Sequence, residues 1–316
     1  MNKKIFFILS VVVVAFFSCN QRQERTEIEL DSIFITPNWR NNATVNLVLR
    51  KTNETRTDGR SVSTSSLSNV QLRLSRNSDD TWRGTWRVTS TPMRPIMNPM
   101  ERRIADLIDG FVFHFTLDAD GVFKELNNWQ ELQSIGLQTI DIIVNELAMQ
   151  TDMNPIIIEQ MRLTLGEMFA TRENIETYLI QDIQLYFALG GAELHRGDTI
   201  QDFIPVAHPI TGDLIWHNTQ VVFQKAFSDS TCDILVIQTI DNSELLSAVE
   251  DFIGNIFDDE KMDDFQNEMT DVEFSSKIIT NYNISLKTGL PERVVSRKYI
   301  TVGDGQRINT TEITRR

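Results

Sequence analysis

The sequence predicts an α+β fold, in which one curved antiparallel sheet carries a central block of about three helices on one face. Three observations predict it. Period-two alternation appears early, at Val45, Leu47 and Leu49 and at Val70, Leu72 and Leu74, and returns from Leu214 onward. Helical periodicity is concentrated between residues 129 and 189. The two patterns meet in Phe111–Glu131, where an alternating strand reaches a turn at Asp118-Ala119-Asp120-Gly121 and passes through Asn127-Asn128-Trp129 into the longest helical block. The body of the chain therefore divides into β-rich 43–126, helical 127–191, and β-rich 192–316 with one helix, forming a single domain over 43–316.

The residues before it read differently. Lys3 and Lys4 make a positive n-region, and Ile5 to Phe17 form an apolar run of signal-peptide length. That run is shorter than the roughly 20 residues a membrane span needs. It ends at Phe16-Phe17-Ser18-Cys19, a small residue directly before a cysteine. This resembles a bacterial lipobox, with Phe16 standing where leucine is usual. The resemblance implies cleavage after residue 18 and acylation of Cys19. Residues 19–42 then form the lipidated cysteine and a tether. Acyl chains on Cys19 meet the two-signal requirement for stable membrane anchoring.

Charge and cysteine usage agree with an exported, anchored chain. Loss of residues 1–18 removes two lysines and no acid, so the net charge moves from −14 to −16. Such a chain lacks the basic footprint that nucleic acid requires, so no nucleic-acid partner is expected. Cys232, the only other cysteine, lies in the alternating stretch Thr231-Cys232-Asp233-Ile234-Leu235 and reads as a buried small hydrophobe.

Taken in order, the first strands are Ala43 onward and the run through Val70, with a Ser/Thr/Arg-rich Thr52–Asn69 between them, as long exposed strand ends or a mobile loop. A turn at Asn77-Ser78-Asp79-Asp80 leads to a strand with Trp82, Trp86 and Val88. Pro92, Pro95 and Pro99 interrupt the sheet before a short helix, Met100–Ile108, stopped by Gly110. In the helical block, Leu132 to Leu147 give one face, Asn154-Pro155 starts a second helix, and Ile175 to Tyr186 make a third, ended by Gly190-Gly191. Leu214–Phe227 and Cys232–Ile240 read as a hairpin, Ser243–Phe257 as a helix, and the chain closes with strands near 272–286, 293–302 and 307–314.

The β regions echo each other. Val70–Thr89 and Val221–Thr239 share an order of strand, Ser/Asp turn, strand, and Phe115-Thr116-Leu117-Asp118 parallels Ile284-Ser285-Leu286-Lys287. Duplication of a β-rich half and the general likeness of antiparallel hairpins would both produce this. The lipobox, the architecture and the turn Thr288-Gly289-Leu290-Pro291 are similar to lipoproteins of Bacteroidota. More distantly they resemble LolA/LolB-type periplasmic lipoprotein carriers, in which a half-barrel sheet wraps over helices and shelters acyl chains. The resemblance implies a location in the envelope and a hydrophobic cavity. It brings no catalytic residues. After Cys19, Asn20-Gln21-Arg22-Gln23-Glu24-Arg25 lacks the acidic run of surface-exposed lipoproteins, which favours the outer membrane's periplasmic side.

Chemistry-bearing motifs are few. Asp118-Ala119-Asp120-Gly121 invites a calcium loop, but aligning Gly121 on the loop's glycine puts Thr116 and Asn127 at positions one and twelve, where carboxylates belong. A hairpin turn accounts for the same residues. The acidic run Asp258–Asp271 is interleaved with Phe257, Met262, Phe265 and Met269 and reads as the solvated face of a covered segment. His114, His195, His208 and His217 show no zinc-binding spacing, and nucleophile elbows and phosphate loops are absent. No metal, cofactor or enzyme activity is expected. Asp31-Ser32-Ile33 and Asp198-Thr199-Ile200 resemble a short O-glycosylation acceptor pattern.

The expected function is binding by a lipid-anchored envelope protein, with a hydrophobic or acyl ligand held between sheet and helices. Candidate lining residues are Trp82, Trp86, Phe111, Phe113 and Phe115, whose other role is plain core. The alternative is a protein–protein interaction module of an envelope assembly, and a hydrolase stands behind both.

Overall fold

The computed structural model describes residues 25–57, 59–90, 99–108, 110–150, 155–207, 214–240 and 274–316. The signal segment, Cys19, Asn154, His208, the helix expected over 243–257 and the acidic run 258–271 lie outside the described residues. Within them the fold is α+β, built on one open, curved antiparallel sheet of twelve strands.

Its strands are β1 (Glu27–Ile28), β3 (Ala43–Thr57), β4 (Arg60–Arg76), β5 (Trp82–Ser90), β6 (Val112–Leu117), β7 (Phe123–Leu126), β9 (Thr199–Ala207), β10 (Leu214–Phe227), β11 (Thr231–Ile240), β12 (Phe274–Ser285), β13 (Pro291–Val302) and β14 (Gly305–Arg315). Two meanders make up the sheet. β3 to β7 lie side by side in chain order, β10 to β14 do the same, and β14 pairs with β3 to join them. At the far side β10 is flanked by β9 and, beyond it, by β1. A separate pair, β2 (Ser32–Phe34) with β8 (Glu193–His195), ties the N-terminal segment to the end of the helical region.

Five helices are described: α1 (Pro99–Ile108), α2 (Trp129–Gln150), α3 (Pro155–Glu167), α4 (Arg172–Leu179) and α5 (Gln181–Phe187). The sequence reading of one helix through Ile175–Tyr186 is corrected here, because the chain breaks at Ile180, which is buried with a non-helical ψ of 20°. The block thus holds four helices rather than three. Thr171 caps α4, its hydroxyl accepting the Asn174 N–H at 3.1 Å. α5 is fixed to the concave face by two tyrosines: Tyr186 donates to the Pro291 carbonyl at 3.0 Å, and Tyr282 of β12 donates to the Leu185 carbonyl at 3.2 Å.

Alternation determines the rest. Val45, Leu47 and Leu49, Val70, Leu72 and Leu74, Val294 and Ile313 all point inward and meet Ile175, Ile180, Ile183, Tyr186 and Phe187. The same face turns polar further along the strands. Thr280, Ser296, Thr311, Lys51 and Ser66 form one cross-strand row. Thr219, Gln238, Ile278, Lys298, Asn309 and Asn53 belong to the next. The hydrophobic core therefore occupies one end of a tall sheet.

One further difference from the sequence reading has a simple cause. The tether is shorter than 19–42, because Ile33 and Ile35 are core residues at 4% and 2% exposure. Of the two forms expected for Thr52–Asn69, exposed strand ends are the one present: the segment continues β3 and β4 as paired strands, and its polarity reflects exposure of both faces beyond the helices.

The turns of the two halves share atomic detail. In the β4–β5 turn, Asp79 accepts the Thr81 hydroxyl at 2.6 Å and the Thr81 N–H at 3.2 Å, with Asp80 at φ 64° between them. In the β10–β11 turn, Asp229 accepts the Thr231 hydroxyl at 2.6 Å and its N–H at 3.0 Å, with Ser230 at φ 65°.

Candidate functional site

A cleft opens between sheet and helices, on the concave face where the core ends. It has a volume of about 260 Å³, just below the roughly 300–1,000 Å³ of small-molecule pockets. β3 supplies Leu49 and Lys51, β4 supplies Ser66 and Ser68, and β5 and β6 supply Trp86, Val88 and Phe113. The opposite wall is Leu179, Ile180, Asp182 and Ile183, from the α4–α5 junction. The break at Ile180 gives the cleft its roof, because it lets α5 turn its apolar side onto the sheet while Leu179 stays 37% exposed at the rim.

The cleft is amphiphilic. Its floor and roof are aliphatic and aromatic, while Lys51 and Asp182 form an ion pair at 2.7 Å on one side. The Lys51 side chain is half exposed and Asp182 is largely covered, so the pair marks the passage from core to solvent. Ser66 and Ser68 add small polar groups beside it.

The five predicted lining residues divide. Trp86 and Phe113 line the cleft, and Phe111 packs edge-on against Phe113 with ring centroids 5.0 Å apart. Trp82 and Phe115 do not reach it. Trp82 stacks edge-on against Trp39 at 4.8 Å. Phe115 is fully buried, its ring lying over Gly84, where any side chain would overlap it. Lys51, Ser66, Ser68 and Asp182 were missed in the sequence. Extending the period-two pattern past Leu49 to Lys51, and back from Val70 to Ser68 and Ser66, finds three of them.

Other sequence candidates sit elsewhere. Asp118 spends one carboxylate oxygen on the N–H groups of Asp120 at 3.0 Å and Val122 at 2.9 Å, the arrangement of a side-chain-closed turn. Cys232 is completely buried, and desolvation pushes its thiol up to about 12. His114 is on the convex face, His195 on β8, and His217 on the concave face of β10. His217 is 1% exposed, neither ring nitrogen has a hydrogen-bond partner among the described residues, and burial, with Lys298 nearby, lowers its pKa to about 4. Ser32 and Thr199 of the acceptor-like triplets are both exposed.

No family model matches the chain, and no curated protein matches it. Among solved structures it is similar to the chain described under "Lipid-protein interactions in lipovitellin", at TM-score 0.47 and 8% identity over 88% of this chain and 25% of that one. The protein thus spans a quarter of the length of the lipovitellin chain. DynF, from the dynemicin biosynthesis pathway of Micromonospora chersina, aligns at TM-score 0.19 and 6% identity, over 93% of this chain and 90% of its own. Neither likeness assigns a family.

Proposed function

We propose that this is a lipid-anchored cell-envelope protein that binds a hydrophobic or acyl ligand in the cleft between α4, α5 and the sheet. One observation carries the reading: an apolar cleft with a polar pair at its edge, outside an otherwise packed core. In this reading an aliphatic chain lies along Leu49, Val88, Phe113, Leu179 and Ile183, and its polar end meets Lys51, Asp182 and the two serines. The signal segment and Ser18-Cys19 support anchoring through acyl chains on Cys19, with the body facing the periplasm from the outer membrane. Together with the α+β architecture and the turn Thr288-Gly289-Leu290-Pro291, they support kinship with Bacteroidota lipoproteins and a distant one with LolA/LolB-type carriers. The matching Asp79–Thr81 and Asp229–Thr231 turns support a duplicated origin for the two β halves.

Titration with a fluorescent fatty acid tests the ligand. Ser68→Phe fills the cleft and Leu179→Asp charges its rim, so both variants lose binding while keeping the wild-type unfolding transition. Unchanged binding in both would remove the cleft from the account.

A second reading, an interaction module, has its own observation. β5 pairs with β4 only from Asn69 to Arg76, so Arg60–Ser68 has β3 on one side and, among the described residues, no strand on the other. Such an edge accepts an added strand from a partner.

A further inference from the structure

The convex face of the first meander carries a cationic patch unrelated to the cleft. Register places nine residues in a grid: Ser75, Arg73 and Gln71 on β4, Arg83, Thr85 and Arg87 on β5, and Thr116, His114 and Val112 on β6. Thr85 sits at its centre, opposite Arg73 on one side and His114 on the other, with Arg83 and Arg87 two residues away along its own strand. Acids outnumber bases 44 to 30 in this chain, yet the grid holds three arginines, a histidine and no carboxylate. All three arginines are exposed, and none has an ion-pair partner among the described residues. The nearest acid along the rows, Glu125 opposite Thr116, is already held by Arg172 at 3.0 Å.

The patch is also shaped. Arg83, His114 and Thr116 line an open hollow of about 370 Å³ together with Asn77 and Asn127. Asn127 is oriented by the Thr116 hydroxyl, which donates to its Oδ1 at 3.1 Å, so that its amide N–H groups face no acceptor among the described residues. Asn77 is held in the opposite sense, its amide donating one N–H to the Thr81 hydroxyl at 2.9 Å and keeping the second for a ligand. Diagonal neighbours on a sheet lie about 7–8 Å apart, within reach of long side chains, which puts Arg73 of β4 within reach of a ligand held by Arg83 of β5. Arginine presents its donors as a planar fork suited to oxyanions.

We propose that this hollow binds a small ligand bearing a tetrahedral oxyanion, a phosphate or sulfate ester, through Arg83, with Arg73 reaching in from its diagonal position on β4 and Asn127 and Asn77 donating from the rim. The size of the patch fits a small multivalent anion. A net charge of −14 opposes association with an extended polyanion or an anionic bilayer. The site lies on the opposite face of the sheet from the cleft, so neither depends on the other.

Calorimetric titration of pyrophosphate into the full-length chain in zwitterionic detergent at low ionic strength tests this, with anionic phosphatidylglycerol vesicles as a second arm. Wild type binds pyrophosphate, and Arg83→Gln weakens binding about tenfold or more, as expected for lost charge-assisted hydrogen bonds. Arg83→Lys recovers only part of it. Arg297→Gln, the same charge change four strands away on β13, leaves it unchanged. Equal titration by wild type and Arg83→Gln overturns the proposal. So does equal weakening by Arg297→Gln, or binding to vesicles without binding to pyrophosphate.

Discussion

Gly121 and Gly289, one from each half of the sheet, close on the same short stretch of chain. Gly121 approaches the Trp39 ring, where a Cβ would stand 3.0 Å away, and Gly289 packs against the backbone of Thr36 and Pro37. Both have positive φ, 83° and 71°. The segment 36–39 is thereby gripped between the β6–β7 and β12–β13 turns beneath the core, and Asn38 adds a backbone bond to Thr288 at 3.2 Å. The turn that looked like a metal loop is half of this clasp.

Gly289→Ala is expected to destabilise the protein by about 3 kcal/mol, combining the left-handed backbone cost with overlap on the Thr36 carbonyl oxygen. Denaturant unfolding at constant slope measures it. A loss well under 1 kcal/mol would show that the clasp does not hold in solution.

Glu176 connects α4 to the edge strand β7, accepting the Leu126 N–H at 2.7 Å. Glu176→Ala leaves that buried donor unpaired and should cost about 2 kcal/mol. Glu176→Gln keeps an acceptor and should cost less than half as much. Equal losses in the two variants would shift the explanation to packing.

Asp79 and Asp229 give stability a carboxylate signature. The Thr81 hydroxyl holds the Asp79 carboxyl below its usual range, and the Thr231 hydroxyl does the same for Asp229. Lower folded than unfolded pKa values mean that this stability is complete above the ordinary aspartate range, and is lost as pH falls through the depressed values. The double variant Asp79→Asn, Asp229→Asn should show a shallower acid decline of the unfolding midpoint. An unchanged acid limb contradicts it.

His217 acts in a higher window. Its folded pKa of about 4 lies below the unfolded value of 6.5, so the unfolded chain binds the extra proton between them. Stability therefore falls as pH drops from 6.5 toward 4. His217→Leu should flatten that part of the curve while leaving the region above pH 6.5 level.

The sequence was most informative where alternation is strict. β10 and β11 begin and end within a residue of the runs read from periodicity, because one face of each strand is buried along most of its length. β9 and the short β1, β2 and β8 left little trace, since Thr199–Asp202 of β9 are exposed and the other three pair with segments distant in the chain. In the cleft, Trp86 and Phe113 were legible as inward residues of their strands. Nothing local separates them from Trp82 and Phe115, whose burial depends on Trp39 and Gly84. Lys51 and Asp182 are 131 positions apart and meet only because α5 folds back over β3. The arginine grid was equally hidden, since Arg73, Arg83 and Arg87 become neighbours through register alone.

The most direct test of the binding claim is native mass spectrometry of the Cys19→Ala protein, which removes the anchor's own acyl chains from the count. The account predicts a bound population heavier by the mass of an acyl-bearing molecule, released on denaturation and diminished by Ser68→Phe. A bare protein mass under every gentle condition, with no thermal stabilisation by added fatty acid, would contradict it.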